Sequence, residues 1–378
     1  MRIADFELER FFARFEFAVR HLLCASDLEG LPMAELLAMA DPDTAALWRD
    51  LRLGYTESLG HPLLRREIAS LYDTVDPDDV VVFSGAEEAI FAVANVHLQP
   101  GDHAIVVWPA YQSLHEVARA TGADVTLHEL RAADGWAIDV EAMRRQVTPR
   151  TRLIVVNAPH NPTGHLPDAA TYRAVAGLAA DAGAVLLSDE VYRFLELDPA
   201  DRLPAGADVG PHGVSIGVMS KSFALAGLRI GWLASHDRAL LDAAARFKDY
   251  TTICASAPAE ILALIALRAR ERVLARSQAI VEANLALLDG FFARQAGRFA
   301  WVRPRGGSIA FPELLGQTPI DRFAEDLLEA EGVLLAPGSI FGHPGNHFRL
   351  GFGRTDLPAG LERLEAYAER ALAVPNLR

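Results

Sequence analysis

The sequence predicts an α/β fold built around a largely parallel sheet, and three observations carry that prediction. Between residues 78 and 235, short β-branched runs alternate with amphipathic stretches of helical period, the pattern of successive βαβ units. Several of those runs are apolar throughout, as strands covered on both faces are. After Pro258 the pattern gives way to a long Ala-, Leu- and Arg-rich region reaching about residue 295, which reads as one or two long helices.

In chain order, the first expected strand is 80–83, Val-Val-Val-Phe, with no polar residue in it. Strands at 104–108, 153–157, 185–188, 214–219 and 231–234 follow by the same criterion. Between them, the apolar spacing of 86–98, 169–182 and 238–247 suits helices packed on a sheet. A second mixture of strands and helices runs from Phe299 to the C-terminus. The expected division is a large domain over 51–255 and a connecting long helix over 256–290. A smaller α/β domain is assembled from both termini, 1–50 and 291–378.

Composition excludes several classes. The 378 residues carry a formal net charge of −14, so no global positive field attracts nucleic acid. The start of the chain is acidic and amphipathic, without the basic opening and apolar run of a secretory signal. No stretch reaches the roughly 18 apolar residues of a membrane span, and a cytoplasmic protein is expected. The two cysteines, Cys24 and Cys254, lie far apart and outside any metal-ligand spacing. No metal is expected, and both thiols are read as buried and reduced.

Four motifs carry chemistry, each directly after an expected strand. Ser220-Lys221 follows 214–219, where an amine can be desolvated and its pKa lowered, as a Schiff-base nucleophile requires. Eight residues on, Arg229 lies between Gly227 and Gly231 and can return to the same point as a phosphate clamp. At the end of 185–188, Asp189 is placed to keep a pyridine nitrogen protonated, making such a ring an electron sink. Glu190 would point to the other side of a continuing strand and is given a structural role. Tyr192 is placed to hydrogen-bond a ring oxygen.

The third motif, Asn157-Ala158-Pro159-His160-Asn161-Pro162-Thr163-Gly164, is a proline-stiffened turn able to hold the Asn161 amide against a ring oxygen. His160 within it is either a base or, as is more usual in such a turn, a capping or packing residue. The fourth, Ser84-Gly85-Ala86-Glu87, opens a helix through a glycine. Free N–H groups at a helix start bind phosphate.

Together these elements resemble the fold-type I pyridoxal-phosphate enzymes of the class I and II aminotransferase family, over about residues 53–353. The resemblance implies a mostly parallel seven-stranded sheet sandwiched by helices. It implies that Lys221 carries pyridoxal 5′-phosphate as a Schiff base, that Asp189 pairs with the pyridine nitrogen, and that Asn161 and Tyr192 bind the ring hydroxyl. Gly85, the Ala86 and Glu87 amides, Ser220 and Arg229 would hold the phosphate, and Tyr111 would stack on the ring.

Leu53-Gly54-Tyr55-Thr56 is similar to the family segment whose tyrosine reaches the partner's phosphate, which implies a homodimer with shared active sites. Phe348-Arg349-Leu350 is similar to the strand whose arginine grips the substrate α-carboxylate, and Asn161 borders the same substrate. The implied reaction is amino transfer between an amino acid and a 2-oxo acid.

Two features depart from the family pattern. Glu87 puts a carboxylate at a phosphate turn, where it must turn outward or be neutralised by Arg229. The entry segment Leu22-Leu23-Cys24-Ala25-Ser26-Asp27 lacks the usual glycine-centred pattern and is closer to the branch that includes capreomycidine synthase. A carbon–sulfur β-lyase, a decarboxylase or a cyclase of that branch therefore stays open beside amino transfer. A non-catalytic cofactor-binding regulator is the further alternative. Asp27 and Glu29, near the expected entrance, are either solvated surface acids or a preference for a basic amino acid.

Overall fold

The computed structural model describes residues 2–372, so Met1 and the last six residues of the expected 291–378 domain lie outside the described residues. Its centre is a seven-stranded sheet: β1 (Val80–Phe83), β2 (His103–Trp108), β3 (Asp124–Glu129), β4 (Thr151–Asn157), β5 (Val185–Asp189), β6 (Gly213–Val218) and β7 (Gly231–Ser235). The spatial order is β1-β7-β6-β5-β4-β2-β3. The pairs β2/β3, β2/β4, β4/β5 and β5/β6 are parallel, and β7 runs antiparallel between β6 and β1.

Alternation along the strands divides the core in two. Ala104 and Val106 of β2 and Val155 of β4 face one layer, with Ile90 and Val93 of the helix Ala86–His97. Ile105, Val107, Ile154 and Val156 face the other, with Tyr172, Val175 and Leu178 of the helix Ala169–Asp181. A strand apolar at every position is what two covered faces require. All six strands read from the sequence form, with ends within two residues. The sequence reading has no counterpart for β3, an edge strand of Asp-Val-Thr-Leu-His-Glu that is largely solvated and lacks a continuous apolar run.

The Ala- and Leu-rich region forms two helices, Ala257–Arg268 and Arg270–Arg294. The first is buried at every position from Ala259 to Leu267, which explains its lack of amphipathic spacing. Beyond them β8 (Ile309–Ala310), β9 (Ala336–Pro337) and β10 (Phe348–Gly351) form a small antiparallel sheet in the order β8-β10-β9. The first helix, α1 (Glu7–Phe15), buries Leu8 against the same layer as Ile105 and Val107. The segment after it runs along β10, where Gly351 N–H donates to the Leu23 carbonyl at 2.7 Å. Gly351 has to be glycine there, since a Cβ would lie 1.8 Å from the Ala25 carbonyl oxygen.

Cys24 is fully buried, but Cys254 is only half-buried, contrary to the expectation for both. Among the described residues no helix is long and apolar enough to cross a membrane.

Candidate active site

The sheet fixes the site by register. Asn157 of β4 lies opposite Asp189 of β5, and Asp189 opposite Ile216 of β6, so these parallel strands end at one edge. Lys221 leaves β6 three residues beyond its end, and Gly85 leaves β1 at the same edge, Phe83 being paired with Gly231. Open α/β sheets bind ligands at their carboxyl edge because loops diverge there.

Lys221 Nζ donates to Ser26 Oγ at 2.9 Å and stands 5.8 Å from the Tyr192 ring centroid. Burial, against the opposing pull of Asp27, lowers its pKa to about 8. Asp189, 3% exposed, is raised to about 7, mainly by burial and against the pull of the Val191 amide, which donates to Oδ1 at 3.3 Å. An amine and a carboxyl are thus both held near neutrality, the mark of groups shaped for chemistry rather than for mutual pairing.

Asn157 braces this edge. Its Nδ2 donates to the Asp189 carbonyl at 3.0 Å and its Oδ1 accepts from Asn161 N–H at 2.6 Å. Asn161 Oδ1 in turn accepts from Arg349 Nη1 at 3.3 Å, which directs the amide nitrogen the other way. Arg349 is fully buried, with Nε on the Cys24 carbonyl at 3.0 Å and Nη2 without a partner. The Tyr192 hydroxyl is likewise buried and unpartnered, and burial raises its pKa. Each of these orphans lacks a hydrogen bond worth about 1–3 kcal/mol when its donor stays desolvated.

His160 is buried with Nδ1 2.8 Å from Thr163 Oγ1, and it packs the turn rather than facing the cavity. Glu190 points to the opposite side, where its Oε1 accepts from Ser215 Oγ at 2.9 Å.

At the other end, Gly85 has φ +94°, and a Cβ on it would lie 2.6 Å from Arg229 Nη2. The glycine is there because the guanidinium crosses it. Arg229 makes no ion pair among the described residues; its Nη1 reaches Ser220 Oγ at 3.5 Å and the Ala226 carbonyl at 3.1 Å. The start of the helix Ala86–His97 has no side-chain cap, leaving its amides free. Glu87 takes neither course expected from the sequence. Its carboxyl is turned inward, accepting from Ser113 Oγ, and burial first of all raises its pKa while Arg229 pulls the other way.

These residues line one cavity of about 370 Å³, within the size range of small-ligand sites. Ala86, Glu87, Tyr111, Asn161, Asp189, Tyr192, Ser220, Lys221 and Arg229 all reach it. Arg349 stands just behind the wall, its guanidinium carbon 5.6 Å from the Phe12 ring centroid. Tyr55 is 90% exposed and away from the cavity. Sequence reasoning missed Phe12, Glu9 and Glu16, which α1 and its end bring into the cavity lining, and the bracing role of Asn157. Asn157 was legible as the last residue of an apolar strand. The α1 residues carry no local signal. No cluster of three metal-ligating side chains occurs among the described residues.

The profile of the family "aminotransferase class I and II" matches residues 22–363. The chain is 32% identical to capreomycidine synthase of Streptomyces vinaceus, over 80% of this chain and 78% of that one. It is 33% identical to aspartate/prephenate aminotransferase of Thermus thermophilus, over 84% of each. Among solved structures, a PLP-dependent aminotransferase from Streptococcus suis superimposes with a TM-score of 0.93 at 30% identity, covering 99% of this chain and 100% of that one.

Proposed function

The chain belongs to the class I and II aminotransferase family and is a pyridoxal-phosphate-dependent aminotransferase, and from that premise we propose how its residues divide the work of amino transfer between an amino acid and a 2-oxo acid. The observation that carries the proposal is that Lys221, Asp189, Asn161, Tyr192 and Arg229 line one cavity while the Tyr192 hydroxyl has no protein partner. The fit to the cofactor is specific. The crossing of Gly85 by an unpaired Arg229, beside free helix amides, suits a phosphate. The orphan Tyr192 hydroxyl and the outward-facing Asn161 amide suit a phenolic ring oxygen.

When bound, pyridoxal phosphate supplies an aldehyde carbon for an amine and a ring that withdraws electrons. Arg229, Ser220 and the Ala86 and Glu87 amides would hold the phosphate, and the flat Tyr111 side chain would pack against the ring. Asp189 would pair with the cofactor's ring nitrogen, and a positive charge there would reverse its upward shift and keep it ionised. Arg349 Nη2, now shielded behind Phe12, would take the substrate carboxylate once Phe12 swings aside, which would give this buried donor its partner. Lys221 Nζ, neutral in a sizeable fraction at pH 8, serves first as the attachment point. As a free amine beside the substrate, it would act as the base that takes up and gives back the α-proton. Ser26, 2.9 Å away, keeps Nζ aimed into the cavity.

The exposed Tyr55 reaches the phosphate of a second copy, making a homodimer with shared sites. Residues 51–255 form the cofactor-binding domain, 256–290 a connecting helix, and 1–50 with 291–378 the smaller domain. The two free cysteines suit a reducing, cytoplasmic setting. A cyclase is the second reading, favoured by the 32% identity to capreomycidine synthase.

Purified protein should show a cofactor absorbance abolished by borohydride, and it should turn over an amino acid only when an oxo acid is supplied. Lys221→Ala should lose turnover while retaining weak cofactor binding. Absence of a borohydride-sensitive band would overturn the assignment of Lys221. A product formed without oxo acid, with its nitrogen retained in a ring by mass spectrometry, would favour the cyclase.

A further inference from the structure

The cavity holds more acid than the cofactor chemistry uses. Glu9, Glu16 and Asp27, from α1 and the segment after it, line the same space as Lys221. Asp27 is already neutralised, both of its carboxylate oxygens lying 3.1 Å from Arg354 Nη2. Glu9 receives one long hydrogen bond, from the Tyr111 hydroxyl at 3.4 Å. Glu16 is half-buried, and its carboxylate makes no hydrogen bond or ion pair among the described residues. Burial, then repulsion by Asp27, raises its pKa in spite of Arg354. Glu29, the other acid read from the sequence near the entrance, turns instead to Thr355 and Arg276, outside the cavity.

The cations are all assigned. Arg229 serves the phosphate, Arg354 holds Asp27, and Lys221 is either attached to the cofactor or, once freed, the neutral base. Arg349, fully buried with an unpartnered Nη2, demands an anion such as a ligand carboxylate. An amino acid anchored between Arg349 and Lys221 has only the remaining cavity for its side chain, and the unpaired charge there is negative. An anionic side chain would add to that charge, and a neutral one would leave Glu16 desolvated without compensation.

Resting on the roles given above to Lys221 and Arg349, we propose that Glu16, backed by Glu9, selects an amino donor whose side chain ends in a cation, a guanidinium or an ammonium. Glu16 acts as a specificity residue through charge and takes no part in proton transfer at the reacting carbon.

The test titrates cofactor-loaded enzyme with L-arginine, L-norleucine and L-glutamate, reading the heat of binding and the cofactor absorbance in parallel. Arginine should bind at least about tenfold more tightly than norleucine, as one charge-assisted contact implies, and glutamate more weakly than either. Glu16→Gln should cut the arginine-to-norleucine ratio about tenfold. Glu16→Asp should retain most of it, and Glu16→Lys should shift the ranking toward glutamate. A ratio unchanged in Glu16→Gln, or glutamate binding better than arginine in the unmodified enzyme, would overturn the proposal. Binding heats in the expected order with no absorbance response to any amino acid would support charge selection and count against amino transfer instead, so the two failures are distinct.

Discussion

Lys221 should make the cofactor-free protein less stable than an apolar replacement would, and Lys221→Met measures the penalty. A tenfold change in proton affinity is worth about 1.4 kcal/mol. Holding the amine at about 8 rather than 10.5 therefore sets the buried cation about 3 kcal/mol against folding at pH 7. Methionine of similar length removes that penalty but loses the bond to Ser26 Oγ, worth about 1 kcal/mol. The net gain is about 2 kcal/mol, or for a chain of this size about 2–3 °C in melting temperature.

The sign follows from proton binding. Between pH 8 and 10.5 the unfolded chain holds the proton that the folded one has released, so the unmodified protein gains stability as pH rises. The advantage of Lys221→Met should be full below pH 8 and disappear by about 10.5. The assay is thermal melting of both apoproteins across pH 6–10.5. Holoprotein serves as the control, where bound cofactor should restore the native chain's advantage. A variant less stable at pH 7, or a difference that ignores pH, would refute the desolvated amine.

Other substitutions test the neighbouring groups. Asp189→Asn should lower kcat by about 10²–10⁴-fold, the range for losing a positioned proton partner. In the apoprotein it should raise stability at pH 8, because native Asp189, lifted to about 7, resists ionisation and loses stability as pH climbs from 3.8 to 7. Gly85→Ala meets both a positive φ and Arg229 Nη2 at 2.6 Å. Strain of about 1–3 kcal/mol should appear as faster cofactor loss in dialysis with little change in secondary structure by circular dichroism. Tyr192→Phe removes an orphaned hydroxyl, so the apoprotein should be at least as stable while cofactor affinity falls about tenfold, as one hydrogen-bond donor warrants. Equal losses of apo stability and affinity would show that the hydroxyl serves packing alone.

Elements whose local pattern matched their burial were legible. β1 is apolar along its length and β4 and β5 carry apolar runs because helices cover both faces, and chemistry-bearing residues stand at or just beyond their ends. β3 was not legible, since an edge strand open to water has no need of an apolar run. Glu87 shows a different limit. Its identity at a phosphate turn suggested an outward or Arg-paired carboxylate, yet Ser113, 26 residues away, receives it. Arg349 was recognised by its flanking residues, but not its shielding behind Phe12, which comes from the far end of the chain.

By itself, then, the sequence determined six of the sheet's seven strands and the residues at its carboxyl edge, because strand burial and strand-end position are set by a few neighbouring residues. It also determined the cofactor, since Lys221, Asp189, Asn161 and Arg229 stand at the ends of separate strands. Only the tertiary structure decided the environment of Lys221: the contact with Ser26, 195 residues away, and the acids that α1 lays over the cavity. The physical reason is that pKa and charge selection depend on burial and on through-space fields, which chain order does not encode.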